Sequence, residues 1–177
     1  MEQAHIPIKD ALDPLAQMYD WMPQFLVNFS GESLNRDESR TPMQWDDSQN
    51  AGFCDPSATP WLPVNDNYTL INAEAAQKDS HSLWTLYQQL LHLRKNYPAL
   101  QSGDIEVIHT PKSDKILAYR RTAENETLEV FLNFSKKPLV IDYPTANTSI
   151  VFSLHPENKA KHDQILLEGY SAVILSK

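Results

Sequence analysis

The sequence predicts an α+β chain in which a long irregular but ordered segment and one amphipathic helix precede an antiparallel β-sandwich. Three observations carry this. Residues 1 to 79 hold seven of the twelve prolines and three of the four tryptophans, yet show little sustained periodicity. Residues 80 to 96 carry one apolar stripe at helical spacing. From Gly103 onward, short β-rich runs recur between polar turns.

In the first segment, Asp13 caps a short helix begun by Pro14 and running to about Tyr19. Stretches of this length without periodicity are usually functional loops or linkers. The aromatics Trp21, Trp45 and Trp61 argue against a disordered linker, because disordered chains are poor in such residues. The segment is therefore expected to pack on a scaffold. In the second, Asp79 is the expected N-cap, and Leu83, Leu86, Tyr87, Leu90 and Leu91 fall at i, i+3, i+4, i+7 and i+8. Arg94 and Lys95 suit the C-terminal end of the helix dipole, and Pro98 pushes Tyr97 out of helical geometry. In the third, seven strands are expected: 105–108, 116–121, 128–134, 139–141, 149–154, 164–167 and 172–175. Such a sandwich is small and is expected to lean on the helix before it.

At 177 residues the chain can bury roughly 70% of its unfolded surface. Its net charge of −8 and scattered Lys and Arg repel phosphate backbones, so no nucleic-acid partner is expected. No apolar run approaches the ~20 residues a membrane span needs, so no membrane partner is expected either. Cys54 is the only cysteine, which excludes an internal disulfide. The start of the sequence lacks the basic region followed by an apolar stretch that marks a secretory signal, which means little where Met1 is not the native start. A cytoplasmic location is expected, with secretion as the alternative. Asn-x-Ser/Thr triplets occur at Asn28, Asn67, Asn125, Asn133 and Asn147; Asn133 falls in a strand expected to be buried.

Functional residue types are densest between Asn35 and Asp47, where Arg36 and Arg40 accompany Asp37, Glu38, Asp46, Asp47 and the indole of Trp45. Guanidinium forks hydrogen-bond paired oxygens, and an indole face stacks on a sugar ring, so carbohydrate recognition is one reading. The other is that both arginines pair with these carboxylates to hold the loop. Glycoside hydrolysis needs two opposed carboxyl groups, and the adjacent pairs Asp37-Glu38 and Asp46-Asp47 do not obviously supply them. The six histidines lack ligand spacing, so no metal site is expected, and four scattered glycines make no phosphate loop.

The run Ser39-Arg-Thr-Pro-Met-Gln-Trp-Asp-Asp-Ser-Gln-Asn-Ala-Gly-Phe53, followed by Trp61-Leu-Pro-Val-Asn and Ile71-Asn72, resembles the oligo-1,6-glucosidase and maltase branch of the α-amylase superfamily, glycoside hydrolase family 13. The resemblance continues through Leu90-Leu-His-Leu-Arg-Lys and Pro98-Ala-Leu-x-x-Gly103, and weakly through Leu132-Asn-Phe-Ser135. It implies the end of a (β/α)₈ TIM barrel over residues 1–100, made of the loop after strand eight and the last helix. A β-sandwich, domain C, then covers 101–177. Met1 matches the internal methionine of the family's Gly-Glu-Glu-Ile-Gly-Met, so the sequence is expected to begin just beyond barrel strand eight.

The resemblance also implies a retaining α-glucosidase acting without a cofactor on α-1,4 or α-1,6 linked oligosaccharides. The family's nucleophile and acid/base carboxylates match no position here, so no catalytic residue is assigned and the chain alone is expected to be inactive. The missing barrel segment is an implied partner. The Arg of Arg-Thr-Pro-Met transfers onto Arg40 as a substrate contact at the C-terminal face of the barrel. Arg36 and Asp37 match as well, in a loop-bracing ion pair. Two alternatives stay open: an ectodomain piece of an amino-acid transporter heavy chain, and a stand-alone carbohydrate-binding module.

Overall fold

The computed structural model describes residues 6, 10–18, 35–112 and 114–177. They divide into two compact units, Met1–Gln88 and Gln89–Lys177.

The first unit carries helices α1 (Pro14–Met18) and α2 (Ala73–Lys78), with 3₁₀ turns at Arg36–Ser39 and Asp66–Thr69. Asp13 caps α1 as its sequence position requires: Leu15 N–H donates to Oδ1 at 3.3 Å. The expected end of that helix at Tyr19, together with Trp21 and Asn28, lies outside the described residues. Among the described residues, the buried apolar side chains here are mostly small, Ala11, Ala16, Ala51 and Ala73, joined by Ile6 and Leu62. Large ones such as Trp61 (68% exposed) and Leu70 face outward. Among the described residues of this unit, side-chain hydrogen bonds to the backbone accompany this small buried apolar set.

Helix α3 spans Leu83–Asn96. It starts later than the sequence suggests, because Asp79 closes α2 as its C-cap while Ser82 caps α3. Ser82 Oγ accepts Thr85 N–H at 3.2 Å, and Asp79 Oδ1 instead takes His81 N–H in a local turn. Serine competes well for the cap, and the polar Ser80-His81 pair makes the turn between helices. The stripe runs along the helix as its spacing demands, but Leu83, Tyr87 and Leu91 are 60%, 65% and 63% exposed.

The second unit begins with the later turns of α3 and with α4 (Pro98–Ser102), which Pro98 opens after Tyr97 has left helical geometry at φ −115°, ψ 104°. Eight strands follow: β1 (Asp104–Val107), β2 (Ile116–Ala123), β3 (Glu126–Asn133), β4 (Leu139–Asp142), β5 (Ser149–Ser153), β6 (Lys159–Lys161), β7 (Gln164–Leu167) and β8 (Ala172–Ser176). They form two sheets of order β1-β2-β3-β8-β5 and β4-β7-β6, with every pairing antiparallel. Strand β6 is the one the sequence does not reveal. Lys-Ala-Lys has a single inward residue, and its hairpin to β7 turns through His162 and Asp163, both at positive φ, where an Asn-Gly pair would be the usual marker.

Between the sheets lie Ile116, Ala118, Phe131, Ile141, Ile165, Leu167, Val173 and Leu175. On the opposite face of the five-stranded sheet, Leu128, Val130 and Ile174 pack with Ala99, Leu93, Tyr97 and Leu100. Strand β3 is thus covered on both faces, which its apolar bulk anticipates. Arg121 Nε donates to Ala99 O at 3.0 Å and Ala99 N–H to Glu126 Oε1 at 2.8 Å, tying α4 to the β2–β3 hairpin. Asn133 is buried, and its amide donates to the carbonyls of Lys137 and Glu168. That geometry leaves no room for a glycan.

Candidate functional site

Two hydrogen-bond networks order the first unit. One joins residues 6 and 11–15 to residues 35–40. Asp13, whose side chain is fully buried, accepts Arg36 Nε at 2.9 Å, Arg36 Nη2 at 2.5 Å and Arg36 N–H at 3.1 Å. Arg36's side-chain bonds hold the Asp13 carboxyl well below the usual carboxylate range and push its own pKa upward. Asp37, also buried, accepts the backbone N–H groups of Leu12 at 2.7 Å and Asp13 at 2.9 Å. Asn35 Nδ2 donates to Ile6 O, and Ile6 N–H to Glu38 Oε1. The partner of Arg36 is therefore Asp13, 23 residues away, and not one of the nearby carboxylates the sequence offers.

Arg40 follows directly. Its backbone N–H donates to Asp37 O at 2.9 Å, closing the 3₁₀ turn. Its side chain is exposed and, among the described residues, engages no carboxylate.

The second network holds residues 44–58. Gln44 O and Trp45 O accept the N–H groups of Ala73 and Glu74, both at 2.9 Å. Gln44 Nε2 donates to Asn67 Oδ1 at 3.0 Å and to Ile71 O. Asn72 caps α2 through Oδ1 and Ala75 N–H at 2.8 Å. The chain then turns through three left-handed residues, Asn50, Ala51 and Gly52, and Trp45 N–H donates to Ala51 O at 2.8 Å. Asp46 Oδ1 accepts Ser48 Oγ at 2.5 Å and Ser48 N–H at 2.9 Å, which lowers the Asp46 carboxyl pKa. The pieces Ser39–Phe53 and Ile71–Asn72, separated in sequence, are thus stitched together in space. Trp45 stands half-exposed beside them.

Asp37 and Asp46 are committed to backbone and hydroxyl donors, so neither adjacent acid pair presents two carboxyl groups facing a common hollow. Among the described residues, no group of three His, Cys, Asp or Glu side chains could hold a metal ion. Sequence reasoning assigned Asp13 only as a helix cap. A partner 23 residues away leaves no local pattern, and the Asp-Pro dipeptide is fully explained by the cap.

Comparison with known proteins decides the family. Residues 20–103 match the alpha amylase catalytic domain, and residues 116–174 match the alpha-amylase SusG C-terminal domain. The chain belongs to the α-amylase family. It is 46% identical over 109 residues to an oligo-1,6-glucosidase of Parageobacillus thermoglucosidasius, covering 62% of this chain and 19% of that protein. To the oligo-1,6-glucosidase of Heyndrickxia coagulans it is 39% identical over 173 residues, 98% of this chain and 30% of the relative. A solved structure of Bacillus licheniformis trehalose-6-phosphate hydrolase superposes at a TM-score of 0.74 with 28% identity, over 99% of this chain and 34% of that one. The chain therefore spans less than a third of the length of these curated relatives. Within the α-amylase family it runs from the end of the (β/α)₈ catalytic domain into the C-terminal β-sandwich. The relatives carry enzyme names, so a transporter subunit and a stand-alone sugar-binding module are set aside.

Proposed function

We propose that this chain is the C-terminal part of a retaining α-glucosidase and that Arg40 contacts the sugar near the cleaved bond. The observation that carries this is Arg40 itself. Its backbone is fixed by a buried polar network while its guanidinium is left exposed and without a carboxylate partner among the described residues. Five N–H donors presented in this way suit sugar hydroxyls. Sibling arginine Arg36 shows the contrast, because its fork is already taken by Asp13.

The reacting acids belong, in this reading, to polypeptide outside these residues, and the substrates are terminal α-1,4 or α-1,6 glucosyl bonds of short oligosaccharides. No cofactor takes part, since two carboxyl groups suffice for retaining glycoside cleavage. The missing barrel segment is the structural partner, and neither nucleic acid nor membrane is one. A cytoplasmic location belongs to the same reading.

The test is hydrolysis of p-nitrophenyl α-glucoside. The isolated chain is expected to give no turnover above buffer; turnover would overturn the assignment of the acids elsewhere. In the full-length polypeptide that carries this chain, Arg40→Ala is expected to lower kcat/KM by at least about tenfold, one lost transition-state contact of ~1.4 kcal/mol. A smaller loss would remove Arg40 from the site.

A further inference from the structure

We infer that Asp13 and Arg36 are positioning residues that fix where Arg40 presents its guanidinium; this rests on the reading of Arg40 as a sugar contact. The two form one half of a reciprocal clasp. The Asp13 carboxylate accepts Arg36 N–H at 3.1 Å, and the Asp37 carboxylate accepts Asp13 N–H at 2.9 Å. Each strand of the clasp therefore caps the backbone of the other. The Arg36 fork then locks the Asp13 side through Nε and Nη2.

The clasp reaches Arg40 through Asp37. That one residue holds the backbone of 12–13 with its carboxylate and the N–H of Arg40 with its carbonyl oxygen, at 2.7 to 2.9 Å. Among the described residues, the bonds between residues 6, 12 and 13 and the loop end on residues 35–38. The loop beyond Gln44 is held separately by residues 65–75. The clasp thus governs the turn that carries Arg40 and leaves the Trp45 loop to its own supports. Asp13 and Arg36 touch no ligand in this scheme; their work is geometric, and displacement of a substrate-positioning group by 1 Å can cost on the order of 100-fold in rate.

The experiment is a double-mutant cycle on kcat/KM in the full-length polypeptide that carries this chain, with Asp13→Asn, Arg36→Lys and Arg40→Ala. Asp13→Asn keeps the shape and loses the charge-assisted fork, and Arg36→Lys keeps the charge and loses the fork geometry. Each is expected to lower kcat/KM on the order of 10- to 100-fold, and neither is expected to add to the loss once Arg40 is Ala. A thermal melt followed by circular dichroism reports whether each variant is folded, and if Asp13→Asn is unfolded, Arg36→Lys carries the cycle. Losses that multiply with Arg40→Ala, or clasp variants with wild-type rates while Arg40→Ala is impaired, would overturn the positioning role alone. If Arg40→Ala itself loses less than about tenfold, the sugar-contact reading fails first and the positioning role goes with it.

Discussion

Arg120 and Glu129 face each other across β2 and β3, and both Nε and Nη2 of the arginine donate to the same buried oxygen, Glu129 Oε1, at 3.0 and 2.9 Å. The hydroxyl of Tyr143 donates to that oxygen as well, at 2.7 Å, and its ring meets Phe131 edge-on at 4.9 Å. A charged pair is thus built into the edge of the sandwich core and capped by a phenol. Pairs of this kind are costly to break and add little over an apolar filling.

Burial, with the bond to Glu129, pushes Tyr143 up to about 12 from an ordinary value of 10.0. A raised folded pKa stabilises the sandwich fully below pH 10 and ceases to do so as pH rises through about 12. Alkaline titration followed by phenolate absorbance and circular dichroism should show the sandwich weakening in that window. Tyr143→Phe should remove this component of the alkaline transition, and an unchanged transition would contradict it.

Asp13 behaves in the opposite sense. Its folded pKa is depressed, first by the side-chain bonds from Arg36, so its contribution is present above the unfolded value of about 3.9. It is lost as pH falls from there through the folded value. All four tryptophans, Trp21, Trp45, Trp61 and Trp84, lie in the first 88 residues, so acid titration of tryptophan emission reports that unit alone. Asp13→Asn should flatten the acid dependence of that emission; an acid limb identical to wild type would count against the clasp.

Gly52 is held at φ 65°, and a Cβ there would lie 2.5 Å from Asp46 Oδ2. Asp46 has little freedom to yield because Ser48 binds its other oxygen twice. Gly52→Ala should therefore cost about 1–2 kcal/mol, from the left-handed backbone together with the clash. Urea unfolding read by tryptophan emission measures it, and a midpoint at or above wild type would rule the strain out.

The exposed stripe of α3 should make the isolated chain associate. Leu83, Tyr87 and Leu91 present contiguous apolar surface at i, i+4 and i+8. Replacing Leu83 and Leu91 with Gln should change stability by less than about 0.5 kcal/mol, as surface substitutions do, while lowering light scattering at high concentration. Scattering that stays at the wild-type level would place the sticky surface elsewhere.

Helix α3, seven of the eight strands and the order of the parts could be read from the sequence, because each depends on a local period or a turn residue. Strand β6 could not, since three residues with one apolar side chain carry no period. The Ser39–Phe53 motif located the candidate site, as short motifs do when backbone shape and side-chain chemistry are specified together.

What tertiary structure decided is who pairs with whom. From sequence, Arg36 has Asp37 and Glu38 within two residues, yet its partner is Asp13, and Asp37 spends its carboxylate on the backbone of that same segment. An arginine side chain reaches far enough for the chain path, and not proximity in sequence, to set its partner; Asp13 and Asp37 are equally buried, but the Asp37 carboxylate is already taken by backbone donors, which leaves Asp13 for the guanidinium fork. The residues fixed the family, most of the elements and the candidate arginine; only the path of the folded chain settled that Arg36 is occupied and that Arg40 is left facing solvent.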